Sequence, residues 1–453
     1  MYRVRITVAI AALVWMADPL PALAQGLDDP CDKNHYILNA KCDDGLGEAI
    51  PTPAVAAKSA IALPAAIAAD AAGNVYIGSG NAIYKVDANG LLTRFAGNGV
   101  TGYAGDGGPA ELAEIGIAAP GVPGPIVEPD GEVQRSFLDG GYDGSFTTMA
   151  SGIAIDHQGD LYIADTLNNR VRKVDVHGVI TTVAGNGDAS RLQVGNDALD
   201  VPVPVDTHSG LPILPSNGAT GRDDRETDGG PAIDAQISSP YAIGVDSAGD
   251  LYVLNFYGLL RKVAPDGLIS TIARLQCQPG FGGAGVCATG QIAVDDVGNV
   301  FIGDSYCRVR QLTSEGTLLT VAGDDAALST RSILEAMSFR CRYSGDGGRA
   351  TAAGLGAPGS VARDAAGSLY IADAVYNCIR KVDAAGAIRT IAGSCRGSWQ
   401  YDGVLLNSPQ GVAVDPAGII YIADTGNGRI LKVTPDGMIS TIAGTMPGLE
   451  GQP

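Results

Sequence analysis

Short runs of β-forming residues recur along the chain, each closed by turn residues. The clearest stretch reads Gly152-Ile-Ala-Ile-Asp156, His-Gln-Gly-Asp160, Leu-Tyr-Ile-Ala-Asp165, Thr-Leu-Asn-Asn, Arg170-Val-Arg-Lys-Val174, Asp-Val-His-Gly178 and Val-Ile-Thr-Thr-Val-Ala-Gly185. Its four apolar runs are joined by connections too short for a crossover, with Gly where a turn needs positive φ. That pattern predicts a four-stranded antiparallel meander.

Six segments repeat the pattern, beginning near Leu63, Ala150, Pro240, Gly290, Pro358 and Pro409 and ending near Ala96, Ala184, Ala273, Ala322, Ala392 and Ala443. A lone sheet would leave both faces wet, so the copies must bury each other. An open stack would need polar terminal copies, yet the last copy is as regular as the second. Closure into a ring explains this and removes most edge exposure. Ala68, Ala154, Gly244, Ala293, Ala362 and Ala413 form one column of the first strand, small enough for six sheets to crowd round an axis. The expected fold is all-β, a six-bladed β-propeller with long inter-blade loops on one face, over residues 61–446.

The strings Gly-[Ile/Val]-Ala-[Ile/Val]-Asp, Leu-Tyr-Ile-Ala-Asp-Thr and Asn-Asn-Arg-Val-Arg-Lys-Val resemble NHL repeats of the type found in secreted bacterial proteins. The resemblance covers all six units and implies the propeller strongly, but an activity only weakly, because propellers host many.

The Asp that ends the first strand recurs at 70, 156, 246, 295, 364 and 415, with spacings of 86, 90, 49, 69 and 51. All this variation lies between the fourth strand of one unit and the first of the next, so the long connections share a face with the second-to-third strand loops. Three of them carry one phrase: Gly105-Asp-Gly-Gly-Pro-Ala110, Thr227-Asp-Gly-Gly-Pro-Ala232 and Gly345-Asp-Gly-Gly-Arg-Ala350, with a shortened version at Asp402-Gly403. The phrase reads as a turn followed by a short helix packed on the ring. Residues 116–146, 187–222 and 324–340 are insertions.

Charge adds a second layer. The net charge is -19, and connections 98–146 and 186–237 together contribute -13 of it. Such a surface disfavours nucleic acid and anionic lipid. Calcium is the cation that acidic loops of an exported protein would suit, and Asp224, Glu226 and Asp228 have the opening spacing of a calcium loop. The loop lacks the bidentate Glu, since position twelve is Ala235, so a bound cation competes with a solvated acidic rim.

The N-terminus resembles a secretory signal: Arg3 and Arg5, an apolar run Ile6 to Met16, then Ala22-Leu23-Ala24, with cleavage expected after Ala24. The run is too short to span a membrane. The expected layout is a signal peptide at 1–24, a disulfide-containing segment at 25–60, the propeller, and a tail at 447–453. The destination is the periplasm or the exterior of a bacterium. Eight cysteines in an exported chain imply disulfides. The repeat register pairs them as Cys31–Cys42, Cys277–Cys287, Cys307–Cys341 and Cys378–Cys395.

Most chemical candidates have a structural explanation. The Asp column reads as a turn cap and the Tyr column (Tyr76, Tyr162, Tyr252, Tyr370, Tyr421) as packing. Asp165, Asp304, Asp373 and Asp424 end the second strand, three of them followed by Arg170, Arg308 and Arg429, and pairing with the Arg or capping of the loop is expected. Departures from the repeat say more. Ser151, Tyr241, Asn255, Gln291, Ser360, Arg363 and Gln410 are expected at the mouth of the central channel, with Arg363 paired to a carboxylate. Peptide-amidating lyases and streptogramin lyases resemble this architecture and rely on His near the channel. None of His35, His157, His177 and His208 matches such a position. The leading expectation is a non-catalytic propeller that binds a protein or glycan through its acidic loops. The alternative is a metal-dependent lyase or lactonase with its site at the channel mouth.

Overall fold

The computed structural model describes residues 54–117, 152–188, 227–275, 290–324, 343–395 and 406–444, apart from positions 60, 62, 256, 257, 305 and 357, together with a short ribbon at Ile126–Val127 and Val133–Gln134. Six sheets follow one another along the chain. Blade 1 contains Ala66–Ala69, Val75–Ser79, Ala82–Val86 and Leu91–Ala96. Blade 2 contains Ile153–Ile155, Leu161–Asp165, Arg170–Val174 and Ile180–Ala184. Blade 3 contains Pro240–Val245, Leu251–Asn255, Leu259–Val263 and Ile269–Arg274. Blade 4 contains Ala293–Val294, Val300–Asp304, Arg308–Leu312 and Leu318–Ala322. Blade 5 contains Pro358–Arg363, Leu369–Asp373, Cys378–Val382 and Ile388–Gly393. Blade 6 contains Gly411–Val414, Ile420–Asp424, Arg429–Val433 and Ile439–Ala443. Strands adjacent in sequence are adjacent in each sheet and antiparallel, as the meander pattern requires.

Each first hairpin is built the same way. Asp156 Oδ1 accepts the backbone N–H of Gln158 and Asp160, both at 2.9 Å, and Tyr162 Oη donates to its Oδ2 at 3.3 Å. Asp70, Asp246 and Asp415 hold their turns and their Tyr in the same manner. A Lys from the third strand lies over each ring in blades 1, 2, 3 and 5, as Lys173 does over Tyr162 at 5.6 Å. Burial and the neighbouring carboxylate push the phenols of Tyr76, Tyr252 and Tyr421 well above their ordinary range. These two columns hold the first hairpins of the blades together.

The core lies in the seams between blades. Ala68 and Tyr76 pack with Ile153, Leu161 and Ile163 of the next sheet. Near the axis there is no spare volume. A Cβ on Gly244 would stand 2.5 Å from Val294 Cγ2, and one on Gly290 would overlap the carbonyl oxygen of Gly359. The small column is therefore a packing requirement.

The ring closes with help from upstream of residue 61. Ala54–Val55 pairs with Leu91 and Leu92 on the outer strand of blade 1. The 3-10 turn Ala56–Lys58 follows, and Ala56 O accepts Gly444 N–H from blade 6 at 3.3 Å. In the seam, Ile67, Val75 and Ile77 meet Ala413, Tyr421 and Ala423. Thr425 Oγ1 donates to Pro64 O at 2.6 Å, matching the bond from Thr166 Oγ1 to Pro240 O at 2.6 Å.

Cys378 and Cys395 form the expected disulfide. Cys307 is also disulfide-bonded, while its expected partner Cys341 and the pairs Cys31–Cys42 and Cys277–Cys287 lie outside the described residues.

Both of those buried threonine bonds should count equally if the ring is closed. Thr425→Val and Thr166→Val are each expected to lower stability by about 1 kcal/mol in urea unfolding. A negligible effect of Thr425→Val alone would show that the blade 6–blade 1 seam opens without cost.

Candidate interaction face

The long connections and the second-to-third strand loops emerge together, and their charged groups are held by the ring. Asp165 and Arg172 are fully buried. Arg172 Nη1 stands 3.3 Å from Asp165 Oδ2, and Asp165 Oδ1 accepts Gly116 N–H at 2.6 Å. Arg170, the expected partner of Asp165, instead donates to the carbonyls of Asn168 and Asn186. Arg170 and Arg172 share one face of their strand, and Arg170 even stands opposite Asp165 in register, but its guanidinium reaches the loop carbonyls while that of Arg172 reaches the carboxylate. Arg308 and Arg429 do pair with Asp304 and Asp424, both at 2.7 Å. Burial pushes the Asp165 and Asp424 carboxyls up, and their hydrogen bonds and arginines offset only part of that rise.

The repeated phrase does build a 3-10 turn on the ring, at Ala110–Leu112, Ala232–Asp234 and Ala350–Ala352. Its Asp has a further role. Asp106 pairs with Arg172 at 2.6 Å, Asp228 with Arg261 at 2.6 Å and Asp346 with Arg380 at 2.7 Å, each Arg standing on the third strand of the next blade. Asp106, Asp228 and Asp346 also accept the N–H of Thr182, Thr271 and Thr390 on the outer strand. The phrase is a latch between consecutive blades. Burial opposes ionisation of Asp106 and Asp346, but the threonine and tyrosine hydrogen bonds and the arginine outweigh it. Both carboxyls stay below the usual carboxylate range.

This explains the expected calcium residues in part. Asp228 is engaged by Arg261 through Oδ1 and by Thr271 N–H through Oδ2; Asp224 and Glu226 lie outside the described residues. Among the described residues no three His, Cys, Asp or Glu gather as a metal site would require.

The expected channel-mouth residues do not form one open rim. Tyr241, Asn255, Ser360 and Gln410 are buried. Asn255 Oδ1 accepts Leu259 N–H at 2.9 Å, and Ser360 Oγ accepts Val412 N–H at 3.3 Å. Gln291 is half-buried, and its Nε2 donates to Ile153 O at 2.7 Å, from blade 4 to blade 2. Ser151 lies outside the described residues. Arg363 ends the inner strand Pro358–Arg363, so it belongs at the first-hairpin end and not at the mouth. There it pairs with Asp295 at 3.7 Å and lies over Phe301 at 5.3 Å.

Exposed apolar surface gathers instead at the junction of blades 1 and 2. Val100, Tyr103, Leu112 and Leu167 are 50%, 43%, 66% and 55% exposed. Asn98 Nδ2 ties the linker to Leu112 O at 3.3 Å, and Asn168 Nδ2 ties the blade 2 loop to Gly102 O at 2.6 Å. The Arg170 guanidinium stacks 3.8 Å from the Tyr103 ring centroid. Aromatic, aliphatic and Arg groups side by side are the composition of a protein-binding centre. Sequence reading missed this cluster because its members come from separate loops. It also missed the Arg172, Arg261 and Arg380 column, although an Arg stands there in each blade that follows a complete phrase.

The architecture defines a class, the six-bladed β-propeller. Residues 217–402 match the Teneurin NHL domain family and residues 406–433 the NHL repeat family. The chain is a six-bladed propeller that is similar to NHL domains over these two stretches. Teneurin-3 of Danio rerio is 30% identical over 241 residues, covering 49% of this chain and 8% of that protein. Teneurin-3 of Mus musculus is 28% identical over 242 residues, covering 49% and 9%. The chain thus matches less than a tenth of the length of these curated relatives. A protein of unknown function from Bacteroides thetaiotaomicron superposes with a TM-score of 0.50 at 15% identity, covering 84% of this chain and 71% of that one, which speaks to fold alone.

The latch has a pH signature. A carboxyl with a lowered folded-state pKa stabilises the fold above its unfolded value of about 3.9, and this is lost as pH falls through the lowered value. Asp106→Asn and Asp346→Asn should each cost about 2 kcal/mol at pH 7. In urea titrations the difference from the unmodified protein should shrink towards zero near the acid limit of folding. A pH-independent difference would show that the charge plays no part.

Proposed function

We propose that the chain is an exported, non-catalytic NHL propeller that binds a protein partner with a basic surface, centred on the blade 1–blade 2 junction. The observation that carries this reading is the exposed cluster of Val100, Tyr103, Leu112 and Leu167 beside the stacked Arg170. It sits on a linker whose sequence, over 98–146, has eight acids against Arg135 alone. An apolar centre within an acidic border suits a partner whose contact surface is apolar in the middle and basic at the edge. The looped-end carboxylates support a scaffold rather than an acid–base site, since Asp106, Asp165, Asp346 and Asp424 are each held by several ring groups. Export is supported by the Cys378–Cys395 disulfide, and among the described residues no helix is long and apolar enough to cross a membrane.

The test is affinity capture from the periplasmic and extracellular fractions of the source cell. The unmodified protein is run beside Leu167→Asp and Val100→Asp, whose exposed positions leave the ring intact. One partner should be retained by the unmodified protein, weaken about tenfold or more with each variant, and elute progressively with salt. Equal capture by all three proteins would remove the junction as the interface.

A further inference from the structure

The outer strand of a propeller blade has an open backbone edge, and this chain covers that edge with its own linkers. In blade 2, Gly107 N–H donates to Ile180 O at 2.8 Å, Ile180 N–H to Gly108 O at 3.1 Å and Ala110 N–H to Gly178 O at 2.8 Å. Blade 3 repeats these bonds with Gly229, Gly230 and Ala232 on Ile269 and Gly267, and blade 5 with Gly347, Gly348 and Ala350 on Ile388 and Gly386. In blade 1 the cover is Ala54–Val55, with Ala56 N–H on Gly90 O at 3.0 Å.

Among the described residues the same edge of blade 6 has no such cover. Ile439 pairs with Val433 as Ile180 pairs with Val174, so its N–H and C=O face outward in the same register. Among the described residues nothing bonds to them. Ile180, Ile269 and Ile388 are buried, whereas Ile439 is half-exposed and Thr441 is exposed. The cause is legible in the linker. Nine positions separate Asp106 from Ile115, Asp228 from Ile237 and Asp346 from Leu355, but only four separate Asp402 from Leu406. The residues that supply the Gly-Pro-Ala part of the phrase are missing. Leu431 also replaces the latch arginine of the third strand and is buried. The outer strand of blade 4 likewise has no cover among the described residues, but its Leu318 is buried where Ile439 is half-exposed, so blade 6 presents the more open of the two edges.

We propose that the outer edge of blade 6, at Gly437, Ile439 and Thr441, binds an extended peptide segment of another protein by strand addition. The segment is of the Gly-Gly-Pro-Ala type, with an apolar residue where the chain's own phrase has Asp. The chain itself shows four times which backbone fits this edge. Leu431 sets the difference, because an Asp lying against it would lose its arginine partner and be desolvated. The strand Ile439–Ala443 carries no charge, so neither acidic nor basic flanks on the peptide are required.

The test uses the whole protein and two synthetic peptides, one copying residues 103–112 and one with Asp106→Leu. Amide hydrogen exchange should find Ile439 and Thr441 exchanging about a hundredfold faster than Ile180 and Ile388 in the monomer, and protected when the Asp106→Leu peptide is added. That peptide should bind about tenfold more tightly than the one with Asp, and Leu431→Arg in the protein should reverse the preference. Protection already present in the monomer would mean that the chain covers its own edge. Protection that appears only with a concentration-dependent dimer would mean that a second copy does. Either result, or a failure of both peptides to protect the edge, overturns the proposal. None of these outcomes bears on the blade 1–blade 2 junction, which the capture experiment reads separately.

Discussion

A closed ring of six sheets drawn from one chain has six seams but only five covalent crossings, and the remaining seam must be held without a linker. Each blade is a thin sheet that buries its faces only against neighbours, so an open seam would wet two apolar surfaces at once. Here the stretch from Ala54 to Lys58 takes the linker's place. It lies along the outer strand of blade 1 as Gly107–Ala110 lies along blade 2, and Ala56 O accepts Gly444 N–H as Ala110 O accepts Gly97 N–H. The stretch before blade 1 therefore does for the last seam what the linkers do for the others.

The same constraint explains where the buried charge went. A linker that crosses from one blade to the next must leave the outer strand, turn, and return to the axis, and its polar backbone has to be satisfied on the way. The Asp of the phrase does this by capping the outer-strand threonine and meeting an arginine that the next blade buries. Such a pair contributes less net stability than its short distances suggest, because both ions are taken from water. What it supplies is position: the guanidinium of Arg380 also bonds Gly354 O and Ser344 O, so linker, loop and blade are fixed by one group.

The fold was legible because its signals were repeated. Asp70 through Asp415, the Tyr column and the small inner column each recur in register, and a repeat turns a weak local preference into a strong one. The site was less legible for the opposite reason. Tyr241, Asn255 and Gln410 depart from the repeat, which points to a channel rim, but all three are buried, and the close approach of Gly152 to Tyr241 O and of Gly411 to Ala65 O shows how tightly the inner strands meet. Arg363 lies at the far end of its strand from the mouth where it is expected, and a six-residue strand spans roughly 20 Å. Arg170 and Arg172 differ by two positions, share a strand face and both follow Asp165, so neither proximity nor register chooses between them; the carbonyls of Asn168 and Asn186, which draw Arg170 away, do. The cluster at Tyr103 and Leu167 is assembled by hydrogen bonds between two loops, and nothing in either loop alone announces the other.

A scaffold that commits its carboxylates and guanidiniums to seams has consequences for how it can evolve a function. Within the ring, a change at Asp106, Arg172 or Asp165 disturbs three elements together, so the interior is poorly placed to acquire new chemistry. The linkers are freer, because beyond the phrase their length is not fixed by the blades: 106 to 115 and 346 to 355 keep the same spacing, while the sequence around them differs widely in length. Variation is tolerated at the outer ends of the blades and in the loops that join them, and there the structure leaves apolar groups and strand edges exposed. The seams therefore decide which surfaces the blades leave uncovered.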